Sequence, residues 1–384
     1  MWTTSRLAAI GFWKWTLFAI LAAGFALTVA RYTEGLGAVT NLSDSYPWGI
    51  WKAFNVVAGV GLGGAGFTIM GVVYVFNAER FRPIVRPAIL LAFLAYSSVA
   101  VALAIDIGKS WAIWHPIIMW NPNSILFDVA WCLMLYTSVL LLEGSGMVFE
   151  RMGWKRLLKA QHAVTLPIVM AGILLSTLHQ SSLGALFLIV PGKLHALWYT
   201  ELIPVLFFLS AIGAGLAMVI VLGRLATSRM GERVPTPVLL DLGQILFAVL
   251  GVYGVVRLFD LGQRGMLGTA FGFSYESLMF QVELLLGVVV PFVLLAVPRL
   301  RSNIRWVYAA GLCAVAGFVA NRLNVAITGL EGAQGGHYVP AWSEMLISLM
   351  VVAAAFAAFR VGAGLLGVFP RRPTAAPEAA LSAT

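Results

Sequence analysis

Ten stretches of about twenty apolar residues divide this chain, and each is long enough to cross a bilayer as a helix. They fall near 12–30, 50–76, 87–106, 126–149, 160–180, 199–225, 238–258, 276–297, 306–324 and 342–362. With 60% of its 384 residues hydrophobic and only 11% charged, the chain has too little polar surface to coat a soluble globule. The fold class that follows is an all-α, multi-pass integral membrane protein whose surroundings are a lipid bilayer.

The cations fix an expected orientation. Alternate connections carry Arg80, Arg82 and Arg86; Arg151, Lys155, Arg156 and Lys159; Arg224, Arg229 and Arg233; and Arg299, Arg301 and Arg305, with Arg371 and Arg372 in the tail. The intervening ones hold only Arg31, Lys109, Lys193 and Arg264. The positive-inside rule then puts both termini in the cytoplasm. The formal net charge of +9 is thus a topology signal, and nucleic acid is not implied as a partner. The first apolar run lacks a cleavage-site pattern and is expected to stay as helix one. The tail 371–384 is expected to be disordered. Cys132 and Cys313 lie within expected helices four and nine and cannot supply an iron–sulfur cluster.

A duplication is suggested by four matches in the same order. "VALAIDIGK" (101–109) corresponds to "VVRLFDLGQ" (255–263), "SILFDVAWCLML" from Ser124 to "SLMFQVELLLG" from Ser277, and "AGILLSTLHQSSLG" (171–184) to "AGFVANRLNVAITG" (316–329), while "GAG" recurs at 64–66 and 213–215. Expected helices two to five and six to nine then form two four-helix bundles in parallel repeat, flanked by helices one and ten. The implied boundaries are 1–49 for helix one and its outer loop, 50–196 and 197–330 for the bundles, and 331–370 for helix ten. The polar residues diverge between the copies. His179 aligns with Asn324, Asp128 with Gln281, and Lys52 with Glu201.

Polar groups inside a span are costly and usually face the bundle interior. Toward the outer face stand Asp106, Asp128, His179, Gln180, Glu201, Arg257, Asp260 and Arg322; deeper are Tyr96, Tyr136, Glu143, His162 and Glu283. Asp128, near the start of helix four, and His179, near the end of helix five, are expected at similar depth. A carboxylic acid, an imidazole and a phenol such as Tyr96 suit a quinone headgroup, which takes hydrogen bonds at two carbonyls and protons as it is reduced. The alternative is that Asp128 and His179 satisfy each other or cap helix ends. Haem is not expected, because b-type sites take axial histidines on facing helices whereas His162 and His179 occupy opposite ends of one expected helix. The connections 31–51, 106–124 and 330–344 are long and rich in Trp, Tyr, Gly and Pro, which suits headgroup anchoring and contact with a partner protein.

The segments "GLGAVTNLSDSYPWGIWKAFNVV" (35–57), "YVFNAERFRPIVRPAILLAFLAYS" (74–97), "NSILFDVAWCLMLY" (123–136), "LHQSSLGAL" (178–186) and "KLHALWYTE" (193–201) resemble the NrfD-type integral membrane subunits of periplasmic oxidoreductases, in particular the quinone-interacting subunits of nickel–iron hydrogenases. The resemblance covers nearly the whole chain. It implies a subunit of a bacterial or archaeal cytoplasmic membrane that takes electrons at its outer face from a ferredoxin-like iron–sulfur subunit, linked to hydrogenase small and large subunits, and reduces menaquinone or ubiquinone. It assigns the headgroup to Tyr96, Asp128, His179 and Gln180, with Asp128, His179 and Tyr96 catalytic, and a proton path to Asp128, Tyr136 and Glu143. Lys193, His195 and Glu201 match the segment after the HQSS motif. Haem-free members agree with the histidine argument, and no metal of the chain's own is expected. Glu143 has a structural alternative, pairing near the basic 151–159 loop. The competing class is a proton- or ion-coupled transporter, for which duplicated units and buried carboxylates are also expected.

Overall fold

The computed structural model describes residues 4–369 except 45, 190, 191 and 233, with side chains described from residue 11. The expected disordered tail 371–384, and with it Arg371 and Arg372, lies outside the described residues, as does Arg233. Among the described residues ten helices have the length and apolarity to span a membrane: α1 (Gly11–Glu34), α2 (Trp51–Val75), α3 (Glu79–Asp106), α4 (Ile125–Met152), α5 (Thr165–Ile189), α6 (Ile203–Met230), α7 (Thr236–Gln263), α8 (Tyr275–Ala296), α9 (Ile304–Gln334) and α10 (Trp342–Leu366). His162 does not begin α5 as expected. It sits in a separate amphipathic helix, Lys155–Ala163, that runs in before it.

Two faces close the bundle. The connections after α1, α3, α5, α7 and α9 form a long-loop face, and the others form an arginine-rich face. On the long-loop face the segments before α2 and α10 are stitched together by Glu344, which is fully buried. Its carboxylate accepts from Ala341 N (2.6 Å), Asn41 N (3.2 Å) and Tyr338 Oη (2.7 Å), and its carbonyl from Trp51 Nε1 (2.9 Å). Burial, with the Glu344 carboxylate alongside, raises the pKa of the Tyr338 phenol far above its usual range. On the other face Arg80 pairs with Asp241 (3.1 Å) and Arg86 with Glu150 (2.5 Å).

Within the membrane α2 and α6 are the most enclosed helices and α1 the least. α2 runs between α3, α5, α6 and α9, α4 packs on α3 and α5, and α1 packs mainly on α10, with Arg31 at its end donating to Ile105 O of α3 (2.6 Å). Apolar side chains dominate every interface, yet a bilayer gives no hydrophobic reward for helix association, so close backbone approach has to supply it. The glycines do this. A Cβ on Gly317 of α9 would overlap the backbone of Gly287 in α8, and one on Gly215 of α6 would meet Ala65 N at 2.7 Å.

α2 is not one continuous helix. It opens with a wide π-type turn over Trp51–Ala58 and breaks at Gly63–Gly64, between the short helices Gly59–Leu62 and Ala65–Met70. Gly64 N donates to Gly61 O (3.0 Å) and Thr68 Oγ1 to Gly64 O (2.8 Å), which satisfies part of the interrupted ladder. Inside a membrane such a break is tolerated only where protein covers it. Here α3, α4, α6 and α9 do: Gly63 lies on the Tyr96 ring, Gly66 by Ala92 and Tyr136, Gly64 by Ala211 O and Gly61 on Phe318.

Gly317→Ala is expected to destabilise the chain by about 1–3 kcal/mol, the usual cost of forcing extra volume into close packing. Gly364→Ala, facing open space on α10, should be neutral or slightly stabilising because alanine favours the helix. Thermal unfolding in detergent by intrinsic tryptophan fluorescence checks both, and equal midpoints would refute the packing role.

Candidate functional site

Ser176, His179 and Gln180 follow the i, i+3, i+4 spacing that sets three side chains on one helical face. That face of α5 looks into the space bounded by α2, α3 and α4. All three are at most 1% exposed, as are Tyr96 of α3 and Tyr136 of α4. The Tyr96 ring meets Tyr136 edge-on with centroids 4.6 Å apart and His179 at 5.7 Å. The glycine break in α2 leaves room for both phenols, since a Cβ on Gly63 would stand 2.8 Å from the Tyr96 ring and one on Gly66 3.3 Å from Tyr136 Oη. Gln180 has a structural task as well: its Nε2 donates to Val60 O (3.1 Å), a carbonyl beside the break.

The rest of this cluster is unpaired. Tyr96 Oη, Tyr136 Oη, Ser176 Oγ, both ring nitrogens of His179 and Gln180 Oε1 have no hydrogen-bond partner among the described residues. Buried polar atoms are normally bonded, because leaving one unsatisfied costs about 1–3 kcal/mol. Six such atoms on five neighbouring side chains offer several donors and acceptors in an otherwise apolar place, the inventory needed by a ligand with two carbonyl or hydroxyl oxygens.

Asp128 does not join them. It lies eight residues before Tyr136 on α4, about 12 Å higher at 1.5 Å per residue, and is exposed near the long-loop end. The equal depth expected for Asp128 and His179 therefore fails; Tyr136 is the α4 residue beside the Tyr96–His179 pair. Asp128, Cys132, Tyr136 and Glu143 nevertheless share a stripe, spaced by four, four and seven residues. Glu143 is half-buried and packs by Gly172 of α5, whose Cβ would stand 3.2 Å from Glu143 Oε1 and 3.8 Å from the Tyr136 ring. The alternative pairing with the 151–159 loop is not made: Glu143 has no ion-pair partner among the described residues. It borders instead a cavity of about 280 Å³ at the arginine-rich end, lined also by Tyr74, Arg86, Glu150, Gln161 and His162.

The remaining polar residues are occupied elsewhere. Asp106 pairs with Lys52 (2.9 Å), and Asp260 with Arg264 (2.6 Å) and Thr200 Oγ1 (2.5 Å). Glu201 and Lys193 are exposed, and His195 joins its loop to α9 through its backbone N–H, which donates to Gly329 O (2.7 Å). Gln281 donates to Ala270 O (3.2 Å) and Gly272 O (2.8 Å). Among α6 to α9 lies a second buried cluster of the opposite character. Glu283 accepts from Trp198 Nε1 (3.1 Å), Asn321 Nδ2 (3.1 Å) and Asn324 Nδ2 (2.7 Å), with Arg257 Nη2 at 3.9 Å. Arg322 donates to Asn321 Oδ1, Phe207 O and Ser210 Oγ, and lies over the Phe207 ring. Asn324, the residue aligned with His179, is thus a ligand of a buried carboxylate. Ser176 was the member of the first cluster not anticipated from sequence, although its i−3 spacing to His179 carried the signal.

A b-type haem would need axial histidines at one depth on facing helices. His179 is the single histidine inside a membrane-spanning segment, with His162, His115, His195 and His337 outside the spans, so these residues do not fit a bis-histidine haem.

Residues 38–331 match the family described as "Polysulphide reductase, NrfD". A protein of Nitratidesulfovibrio vulgaris strain Hildenborough is 36% identical over 367 residues, covering 92% of this chain and 93% of the relative. A protein of Escherichia coli K12 described as a probable Ni/Fe-hydrogenase 2 b-type cytochrome subunit is 35% identical, with 90% of this chain and 89% of the relative covered. The integral membrane subunit of a menaquinone reductase, also of N. vulgaris, is 29% identical, with 94% and 92% covered.

The two clusters should respond differently to truncation. Asn324→Leu removes a donor from buried Glu283 and should cost about 1–3 kcal/mol, whereas Ser176→Ala removes an unpartnered hydroxyl and should leave the melting midpoint within about 1 °C or raise it. A stability loss as large for Ser176→Ala as for Asn324→Leu would contradict the hydrogen-bond assignment.

Proposed function

This chain belongs to the NrfD family, and from that membership together with the unpaired polar cluster we propose that it is the quinone-reducing membrane subunit of a multi-subunit oxidoreductase. The arginine-rich face is cytoplasmic by the positive-inside rule, so the long-loop face is turned to the periplasm. There a ferredoxin-like iron–sulfur subunit docks and hands over electrons that originate in a hydrogenase. The substrate is menaquinone or ubiquinone, its headgroup bound among α2–α5 beside the break in α2. The hydrogenase and menaquinone reductase descriptions of the relatives support this choice over other donors and acceptors.

The observation that carries the reading is the set of unpaired atoms on Tyr96, Tyr136, Ser176, His179 and Gln180. A bound quinone supplies two-electron, two-proton redox chemistry, and these residues fit its headgroup. Tyr96 Oη and a protonated His179 ring nitrogen are the hydrogen-bond donors for its carbonyls. Gln180, anchored to Val60 O by its amide nitrogen, offers its oxygen to a hydroxyl. Glu143 takes protons from the arginine-rich cavity and passes them toward Tyr136, and Asp128 exchanges protons at the opposite end of the same α4 stripe. Tyr136 stands between the two carboxylates and can donate and accept through one oxygen.

The broken helix α2 favours a second reading, since discontinuous helices mark the sites of secondary transporters. Against it, the Val60 carbonyl beside the break is already bonded by Gln180, and the family supports redox partners.

Tyr96→Phe and His179→Asn should slow quinone reduction by about 10²–10⁴-fold, the usual worth of a positioned acid or base, while dye reduction by the catalytic subunit of the assembled complex stays unchanged. His179→Leu should also weaken quinone binding. Parallel loss of both activities would indicate misassembly and defeat the assignment.

Glu143→Gln tests the proton route separately. It should lower quinone turnover at least about tenfold in proteoliposomes, and more steeply as the pH on the arginine-rich side rises, because the amide cannot relay a proton. Unchanged turnover would reduce Glu143 to a packing residue.

A further inference from the structure

On the other side of α3 from the unpaired cluster lies a narrow apolar slot that the proposed reaction does not use. It has a volume of about 120 Å³ and is walled by α2, α3, α6 and α10, with Leu62, Leu91, Leu94, Met218 and Phe359 among its lining residues. Phe356 at its edge is 50% exposed, so the slot opens sideways toward lipid. It runs a long way down the bundle. Asn55 stands four residues below the start of α2, about 6 Å, and Phe359 seventeen below the start of α10, about 26 Å at helical rise.

The polar atoms of the slot sit toward its long-loop end. Asn55 is 93% buried, with 7% exposure; its Nδ2 donates to Ser348 Oγ (3.0 Å) while its Oδ1 has no partner. Ser98, half-buried on α3, also borders the slot and makes no side-chain hydrogen bond to the described residues. Among the described residues no charged one lines the slot. The occupant is therefore neutral and long, with its polar end toward the long-loop face. The free atom of Asn55 is an acceptor, so it calls for a hydroxyl donor. A phospholipid ester or an oxidised quinone offers only acceptors there; an isoprenoid quinol offers an O–H, and Ser98 can bond its oxygen in return.

We propose that this slot is a second site, which holds the isoprenoid quinol, its head between Asn55 and Ser98 and its chain along the α3–α10 seam. The identity of the ligand rests on the quinone reading above; the site itself is separate from the Tyr96–His179 cluster. Ala95 and Ser98 face the slot while Tyr96 faces the cluster, so one turn of α3 divides the two.

The test is photoaffinity labelling of the purified complex in nanodiscs with an azido-naphthoquinol kept reduced, and with its oxidised form, followed by peptide mapping. The quinol is expected to label the peptide 342–366, which lines the slot and not the Tyr96–His179 cluster, in addition to any label near His179. Asn55→Leu should cut the slot label about tenfold, the worth of one hydrogen bond near 1.4 kcal/mol, and Ala355→Trp should abolish it by filling the slot. Neither should change labelling near His179, and His179→Leu should do the reverse. Label near His179 with none on α10 overturns the slot alone, and label on α10 with none near His179 overturns the headgroup assignment alone. Slot labelling that survives both variants, that the oxidised form gives equally, or that excess phosphatidylglycerol removes as well as quinol does, also overturns the proposal.

Discussion

The contact on which this structure turns is the seating of a broken glycine segment, Gly61 to Gly66 of α2, against α3, α4, α6 and α9. A bilayer offers no water to an interrupted helix ladder, so protein has to cover the break from every side. Absence of side chains at Gly61, Gly63, Gly64 and Gly66 lets Phe318, Tyr96, Ala211 and Ala92 reach the backbone, and Gln180 supplies a bond to the carbonyl of Val60. That bond ties α5 to α2 through the same face that carries His179 and Ser176.

Two buried polar clusters, one of phenols, an imidazole, a hydroxyl and an amide and the other of a carboxylate, guanidiniums and amides, then differ in their satisfaction. Around Glu283 the carboxylate accepts from two amides and the Trp198 indole, Arg322 donates to Asn321, and Arg257 stands 3.9 Å away as counter-charge, an arrangement under which buried charge is tolerated. Around Tyr96 and His179 the hydrogen-bonding capacity is left open. The first arrangement holds helices α6 to α9 in register. The second has the chemical capacity for a ligand and for proton exchange, and it lies on the α4 stripe that leads from Asp128 to Glu143 and the arginine-rich cavity.

The sequence reading went furthest where an argument runs along one helix. The resemblance put His179 and Gln180 together on α5 and Tyr136 and Glu143 along α4, while Ser176, which shares the α5 face at i−3 from His179, was not anticipated. The reading was weakest across helices. Asp128 and His179 each seemed to stand near the outer end of their spans, yet the turns Leu186–Ile189 extend α5 beyond the expected end, and His179 lies correspondingly deeper. Asp106 and Asp260 read as candidates for chemistry and are ion-pair termini. The break in α2 was foreshadowed only by a run of glycines.

By itself, then, the sequence determined the ten spans, the all-helical class, the concentration of cations on one face and the residue types able to serve a quinone. These depend on local composition and on the fixed rise and turn of a helix. The tertiary structure alone decided that Tyr96, Tyr136 and His179 meet, that Asp128 stays apart, that Asn324 serves Glu283, and that a slot opens between α3 and α10. Relative depth and rotation of helices follow from which small residues permit backbone contact and which polar atoms find partners, and neither is a property of any one segment.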